Sequence, residues 1–394
     1  MSKPRVLVLS PESPYPTIGG GALRTASLLA YLSARYEVDL VVFREPGAPD
    51  PRAAIPPGAF GQVDVLDLPV HSRRPLWRAA RNLRRWALGR PPLNDRFAGF
   101  SQALEELLRG RSYELALVEH FWCAEYAEVL ATRAQRLVLD LHNVESELYG
   151  RLAESEPWPQ RLLFRRFQSC CRSLEQGWLP RYGLLLATSA EDAAKVRAIC
   201  PGATVGVYPN AIPHVPVPVA PEQEAVVFTG NLEYAPNASA VRFFRRQIWP
   251  LLRERWPRLV WRVIGKNPHA VASCLKGDDR IELVGPVPDA IAALAQAKVV
   301  VVPLLAASGT RFKILEAWAA ARAVVSTSVG AEGLDARDGE HLILADEPRA
   351  FAEAVSMLLA SEERRNAVGR AGRLLYEQRF TWEAAWEHLR QVGI

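Results

Sequence analysis

Lysine is scarce in this 394-residue chain. Only Lys3, Lys195, Lys266, Lys276, Lys298 and Lys313 occur among 48 basic residues, and the rest are arginine. The excess of base over acid is small, 48 against 43, for a formal charge of +5. That balance is too even for a general nucleic-acid binder, although it leaves room for a local basic patch. Cysteine is sparse as well. Cys123, Cys170, Cys171, Cys200 and Cys274 form no CxxC and no ligand-like pairing with His, so neither a disulfide framework nor a structural zinc site is expected. No apolar run approaches the roughly 18 residues of a membrane helix. The stretch Val6–Leu9 behind Lys3-Pro4-Arg5 is too short for a signal-peptide core. The expected location is cytoplasmic, with the inner membrane face as the place of any peripheral contact. Neither half contains GxGxxG or a P-loop, which weighs against nicotinamide dehydrogenase and P-loop chemistry.

What is present is globular: 49% hydrophobic and 23% charged residues, in a length that suggests two domains. Continuous apolar runs rich in β-branched residues predict strands at Val6 to Ser10, Val38 to Phe43, Val63 to Leu68, Leu115 to Val118, Leu137 to Leu141 and Leu184 to Thr188. Helical spacing predicts helices at Leu23 to Leu32, Phe97 to Leu108, around Ala124 to Ala131, Pro159 to Trp178 and Glu191 to Ile199. Such runs, rather than alternation, mark strands covered on both faces of a parallel sheet. The stretch from Pro209 to Pro218 holds four prolines and reads as an interdomain linker. Beyond it the alternation restarts, with strands at Ala225 to Phe228, Val260 to Ile264, Ile281 to Leu283, Val299 to Val302 and Ala323 to Ser326. The helices expected there include Ala238 to Leu252, Ala290 to Ala295, Arg311 to Ala319, Pro348 to Leu359 and Arg364 to Phe380. The fold class expected is α/β: two doubly wound parallel-sheet domains, 1–210 and 211–375, facing across a cleft, with a helix in 376–394 returning to the first.

In such sheets ligands sit beyond the carboxyl ends of the strands, so the strand-end loops are the place to look for chemistry. Gly19-Gly20-Gly21 precedes the first helix and offers backbone N–H groups to an anion, or is simply a turn needing positive φ. His142, in Asp140-Leu141-His142-Asn143, follows a strand and could meet a sugar hydroxyl or phosphate. Glu119 and His120 are placed likewise and are candidates for an acceptor. The richest loop runs from Pro303 through Ser308-Gly309-Thr310-Arg311-Phe312-Lys313 to Glu316. Arg311 and Lys313 fall in the first turn of the expected helix, where the dipole disfavours cations unless an anion is present. A diphosphate would satisfy both, and the Glu316 carboxylate suits two vicinal ribose hydroxyls. The stretch His71 to Arg96 carries eight arginines, with Trp77 and Trp86, against Asp95 alone. It reads either as an interfacial element for anionic lipid or a lipid-diphosphate acceptor, or as a solvated helix with its Trp rings turned inward.

Several segments together resemble the retaining glycosyltransferases of family 4, which have the GT-B fold of two Rossmann-like domains. They are the glycine loop, Asp140-Leu141-His142-Asn143, Tyr208-Pro209-Asn210, Phe228-Thr229-Gly230-Asn231, Ser308 to Gly333, and Asp338-Gly339-Glu340-His341. The resemblance implies a donor site including Gly20, Gly21, Gly230, Asn231, Ser308, Gly309, Thr310 and Glu316, with His142 in catalysis; Arg311 and Lys313, atypical for the family at their positions, are expected to join it there. It implies no metal and no cofactor beyond a nucleotide-diphosphate sugar as co-substrate. The absence of an Asp-x-Asp motif agrees with that. The activity implied is transfer, with retention, to a hydroxyl acceptor, a lipid-linked one among the options, in envelope or extracellular polysaccharide synthesis. No nucleic-acid partner is implied. The chain departs from the family in two places. Ser308 stands where the first of two glutamates is usual, and no cation lies between Thr229 and Val241, where an Arg and a Lys usually bind the diphosphate. Arg311 and Lys313 are positioned to replace that charge. A nucleotide-sugar 2-epimerase and a nucleotide-sugar-binding subunit without turnover stay open as alternatives.

Overall fold

The computed structural model describes residues 3–72, 74–309 and 311–394. The chain divides into two compact units. One runs to Pro209 and also takes in Trp386–Ile394, and the other is Asn210–Ala385. Residues 376–385 therefore lie in the second unit, and the helix Trp382–Gln391 carries the chain back into the first.

The first unit is built on seven parallel strands: β1 Arg5–Ser10, β2 Glu37–Arg44, β3 Val63–Asp67, β4 Tyr113–Glu119, β5 Ala134–Asp140, β6 Leu184–Ala187 and β7 Val205–Val207. Their order is β3-β2-β1-β4-β5-β6-β7. Val6 to Leu9 and Leu117 to Val118 are fully buried, as strands covered by helices on both faces must be. The order reverses between β1 and β4, so the loops that follow these two strands diverge and leave a crevice beyond their ends.

The second unit repeats the plan with β8 Gln223–Thr229, β9 Val260–Ile264, β10 Ile281–Val284, β11 Ala297–Val302, β12 Ala323–Ser326 and β13 Ile343–Leu344. The order is β10-β9-β8-β11-β12-β13, all parallel. Here the reversal falls between β8 and β11. The proline-rich stretch after Asn210 has no regular structure beyond a bridge from Ile212 to Thr381. It is not loose, however. Tyr376 donates to the Pro213 carbonyl at 2.6 Å and Arg373 to that of Val215 at 2.7 Å.

The structure corrects several sequence expectations. The helix expected over Phe97 to Leu108 is two, Pro92–Phe97 and Ser101–Leu107. Gly99, at φ +90°, breaks it. The helix around Ala124 opens as a 3-10 turn, Phe121–Tyr126. The helix Glu145–Ser155, β7 and β13 carry too short or too polar a pattern to be anticipated. The helix expected from Ala238 starts at Ala235, with Pro236 in its first turn, and continues through a π-helical segment to Arg255. After β11 the helix is Phe312–Ala319, so Arg311 precedes it instead of lying in its first turn.

Two glycines bring the strand-end loops of β8 and β9 together. Gly230 and Gly265 have φ of +155° and +156°, and a Cβ on Gly265 would run into the Gly230 carbonyl. Gly265→Ala is expected to cost about 1–3 kcal/mol through this collision. Thermal denaturation checks it, and an unchanged midpoint would mean that the two loops do not touch.

Candidate functional site

In the first unit the switch-point loops converge on a buried polar cluster. The helix Gly20–Arg35 begins just after Gly19, at φ +100°. Gly20 and Gly21 form its first turn, where a helix offers its own N–H groups no acceptor. A Cβ built on Gly21 would lie 3.6 Å from His120 Nε2, so the glycine loop abuts the end of β4. His120 takes up φ +64°, uncommon for a non-glycine residue, and its ring stacks on His142 with centroids 3.4 Å apart. On its other side it stacks on Trp122 at 4.1 Å. His142 Nε2 lies 2.6 Å from Glu119 Oε2 and 3.4 Å from Asp140 Oδ2. In the sequence His142 stands apart from Glu119 and His120, on the loop after a different strand. The structure joins all three in one group.

Arg24 completes the cluster. Its guanidinium grips Asp140 with two hydrogen bonds, 2.7 and 2.5 Å, and donates to the Tyr208 carbonyl at 2.8 Å. Burial would push Asp140 up and Arg24 down, but Arg24 together with His142 holds Asp140 at about 2, and Asp140 holds Arg24 above its usual value. Burial also works against a charged His142, yet Asp140 and Glu119 hold its pKa above the usual imidazole range. His120 goes the other way, well down, through burial and then the charges of His142 and Arg24. The two imidazoles are thus pulled in opposite directions, His142 towards its protonated form and His120 towards its neutral one. Glu119, Asp140 and His142 also place ligand atoms within 4.8 Å of one another, the spacing of a metal site. Both Asp140 oxygens are already taken by Arg24, whose charge supplies the neutralisation a cation would bring.

Trp122 and Glu145 were not singled out from sequence. Trp122 Nε1 donates to Glu145 Oε1 at 3.0 Å, and burial together with nearby Glu175 raises the Glu145 carboxyl to about 7. Only Glu145 and Glu147, two acids in the first turn of an unrecognised helix, hinted at it.

In the second unit the remaining predicted residues gather at the β8/β11 switch point. Lys313, in the helix after β11, reaches the first turn of the helix that follows β8 and donates from Nζ to Asn237 Oδ1 at 2.9 Å. The ammonium also lies 5.2 Å from the centre of the Phe228 ring. Asn237 in turn donates to the Asn231 carbonyl at 2.9 Å, and Asn267 to Asn231 Oδ1 at 3.0 Å. Burial, then the charge of Arg311, lowers Lys313 to about 8. Burial raises Glu316 to about 7, with Lys313 opposing. Arg311 folds back to donate to the carbonyls of Ser308 and Gly309, bracing its own loop. Thr310 lies outside the described residues. Gly230 and Asn231 belong to the same loop group as Lys313.

Comparison with known proteins bears on the fold and on the second unit. Residues 223–361, most of the second unit, match the family model described as Glycosyl transferases group 1. The chain as a whole has the two-unit GT-B fold of that class of protein. The sucrose-phosphate synthase of Thermosynechococcus elongatus superposes with a TM-score of 0.75 at 17% identity, covering 99% of this chain and 98% of that one. HepE of Anabaena, in complex with UDP and glucose, superposes with a TM-score of 0.66 at 14% identity and 99% coverage of both chains. An uncharacterised 44.6 kDa protein in the cps region of Klebsiella pneumoniae is 22% identical, over 89% of this chain and 90% of that protein. The family match thus covers the second unit, and the likeness of the whole chain to these structures shows the GT-B fold.

The raised Glu145 makes a pH prediction. A carboxyl whose pKa is higher folded than unfolded holds its proton in the folded state, so stability falls as pH rises from about 4.5 towards 7. Glu145→Gln keeps an acceptor for Trp122 and removes this contribution. Urea denaturation should show the variant gaining on the parent as pH rises from 5 to 8. Parallel pH profiles would contradict the shift.

Proposed function

We propose that this chain transfers a sugar from a nucleotide-diphosphate donor to a hydroxyl acceptor, and that the second unit holds the donor at the β8/β11 switch point. The observation that carries this reading is the reach of Lys313 to Asn237. It brings a cation to the start of the helix after β8, in a segment that has none of its own between Thr229 and Val241. The chemical need is plain. When the glycosidic bond breaks, a nucleoside diphosphate departs with growing negative charge, and a fixed cation beside it stabilises the transition state more than the ground state. Lys313 supplies that cation. Arg311 supports it by its charge and by holding Ser308 and Gly309 in place, and the amides of Gly230 and Asn231 line the same loop. Glu316 would hold the ribose hydroxyls, with two acceptor oxygens for two donors. In the first unit the His120–His142 pair, with Gly20 and Gly21, is assigned to sugar hydroxyls, with Glu119 and Asp140 orienting His142 through its Nε2. Retention of configuration belongs to this reading, because same-face attack needs no separate protein base. The relative in the cps region supports a place in polysaccharide synthesis. The bound UDP and glucose of HepE support a nucleotide sugar as the donor class.

Two measurements test the assignment. Lys313→Ala should lower kcat/KM at least about tenfold, roughly 1.4 kcal/mol of lost transition-state stabilisation. In the parent, affinity for a nucleoside diphosphate should fall as pH rises through about 8, because the free ammonium loses its proton there. Lys313→Ala should abolish that pH dependence. Near-parental turnover with an unaltered pH profile would remove Lys313 from the site. Glu316→Ala should weaken nucleoside binding by roughly 1.5–3 kcal/mol in calorimetry. Unchanged nucleoside affinity would remove the ribose assignment.

A further inference from the structure

The helix Pro75–Leu88 is amphipathic in an inverted sense. Leu76, Ala79, Ala80, Leu83, Trp86 and Ala87 recur at the 3, 4, 7, 10 and 11 spacing that puts them on one stripe, and all are exposed. Leu76 keeps 84%, Leu83 66% and Trp86 47% of its surface in solvent. The inward side is basic. Arg85 donates to Asp95 at 2.8 Å and Arg81 to the Ser72 carbonyl at 3.2 Å. Trp77 and Arg84 face solvent, whereas Arg81 and Arg85 face the protein. The alternative with Trp rings turned inward fails, since Trp77 is 63% exposed. Arg73 lies outside the described residues.

An apolar stripe turned to water needs an occupant, and the charge beside it says which. Arg74, Arg78, Arg84 and Arg90 are exposed along and beyond the helix, and Asp95, the single acid of the stretch, is already held by Arg85. Self-association through this face would set arginine against arginine, whereas an anionic surface answers both the apolar stripe and its cationic borders. The helix Gln160–Trp178 meets the end of this one at Gly89, where a Cβ would touch Cys170 and Arg166. Its start adds exposed Trp158 and Leu162 beside exposed Arg161 and Arg165. Among the described residues no helix is long and apolar enough to cross a membrane. We propose that the Pro75–Leu88 helix docks on an anionic lipid surface, lying in its plane with Leu76, Leu83 and Trp86 among the acyl chains and the exposed arginines at phosphate level. This does not depend on the glycosyltransferase reading.

The test uses the full chain and vesicles of phosphatidylcholine, with or without phosphatidylglycerol, in a sedimentation assay at low and high salt. Two double variants, Leu83→Glu with Trp86→Ser and Arg78→Gln with Arg84→Gln, alter exposed side chains and should keep the parental melting temperature. The parent is expected to bind the anionic vesicles, to lose affinity steeply with salt, and to bind each double variant's vesicles of the same composition at least about tenfold better than the variant does. Equal binding to neutral and anionic vesicles, or parental binding by both variants, would overturn the proposal. A concentration-dependent dimer of the parent, abolished by Leu83→Glu with Trp86→Ser, would overturn it in favour of a second copy.

Discussion

A parallel sheet buried on both faces has no side-chain surface left for chemistry, so reactive groups must stand in the loops beyond its strands. The point of reversal in strand order is where those loops part. That constraint places almost every functional candidate of this protein. In the first unit Gly20 and Gly21 follow β1, Glu119 and His120 end β4, and Asp140 and His142 end the adjoining β5. In the second, Asn231 follows β8 and the Ser308 to Lys313 loop follows β11.

The two clusters solve burial of charge differently. The first is closed upon itself: Arg24 neutralises Asp140, and His142 faces Glu119. Removing one member of such a network strands its partner at a cost of about 3–5 kcal/mol, so it is also a support of the fold, tying the Gly20–Arg35 helix to β5. The second leaves its cation against a neutral amide. Lysine, a compact charge whose pKa responds readily to its surroundings, is the rare basic residue of this chain, and it is the one that occupies the β8/β11 switch point. Against Asn237 rather than a carboxylate, the ammonium keeps its charge available for an anion.

The sheet strands were legible in the sequence because continuous runs such as Val6 to Leu9 and Val299 to Val302 leave no other reading in a chain with helical spacing between them. Short edge strands such as Val205–Val207 carry too few residues for a period, and the break at Gly99 depends on a single backbone angle. At the site, residue types and their strand-end positions could be read directly. The pairings could not, because Arg24 with Asp140 and Lys313 with Asn237 are 116 and 76 residues apart. The start of the helix at Phe312 also escaped, and with it the backward turn of Arg311 onto its own loop. Trp122 and Glu145 were not singled out in the sequence, and it is their hydrogen bond and the stack on His120 that bring them to the site.

The central claim is that the chain turns over a nucleotide-diphosphate sugar. Incubating the purified protein with UDP-, GDP- and dTDP-sugars and following the anomeric signals by NMR addresses it most directly. The account predicts slow release of nucleoside diphosphate from one donor, with the freed sugar first appearing in the donor's own anomeric configuration. A 2-epimeric nucleotide sugar as product, or tight binding of a donor with no turnover of any, would contradict it.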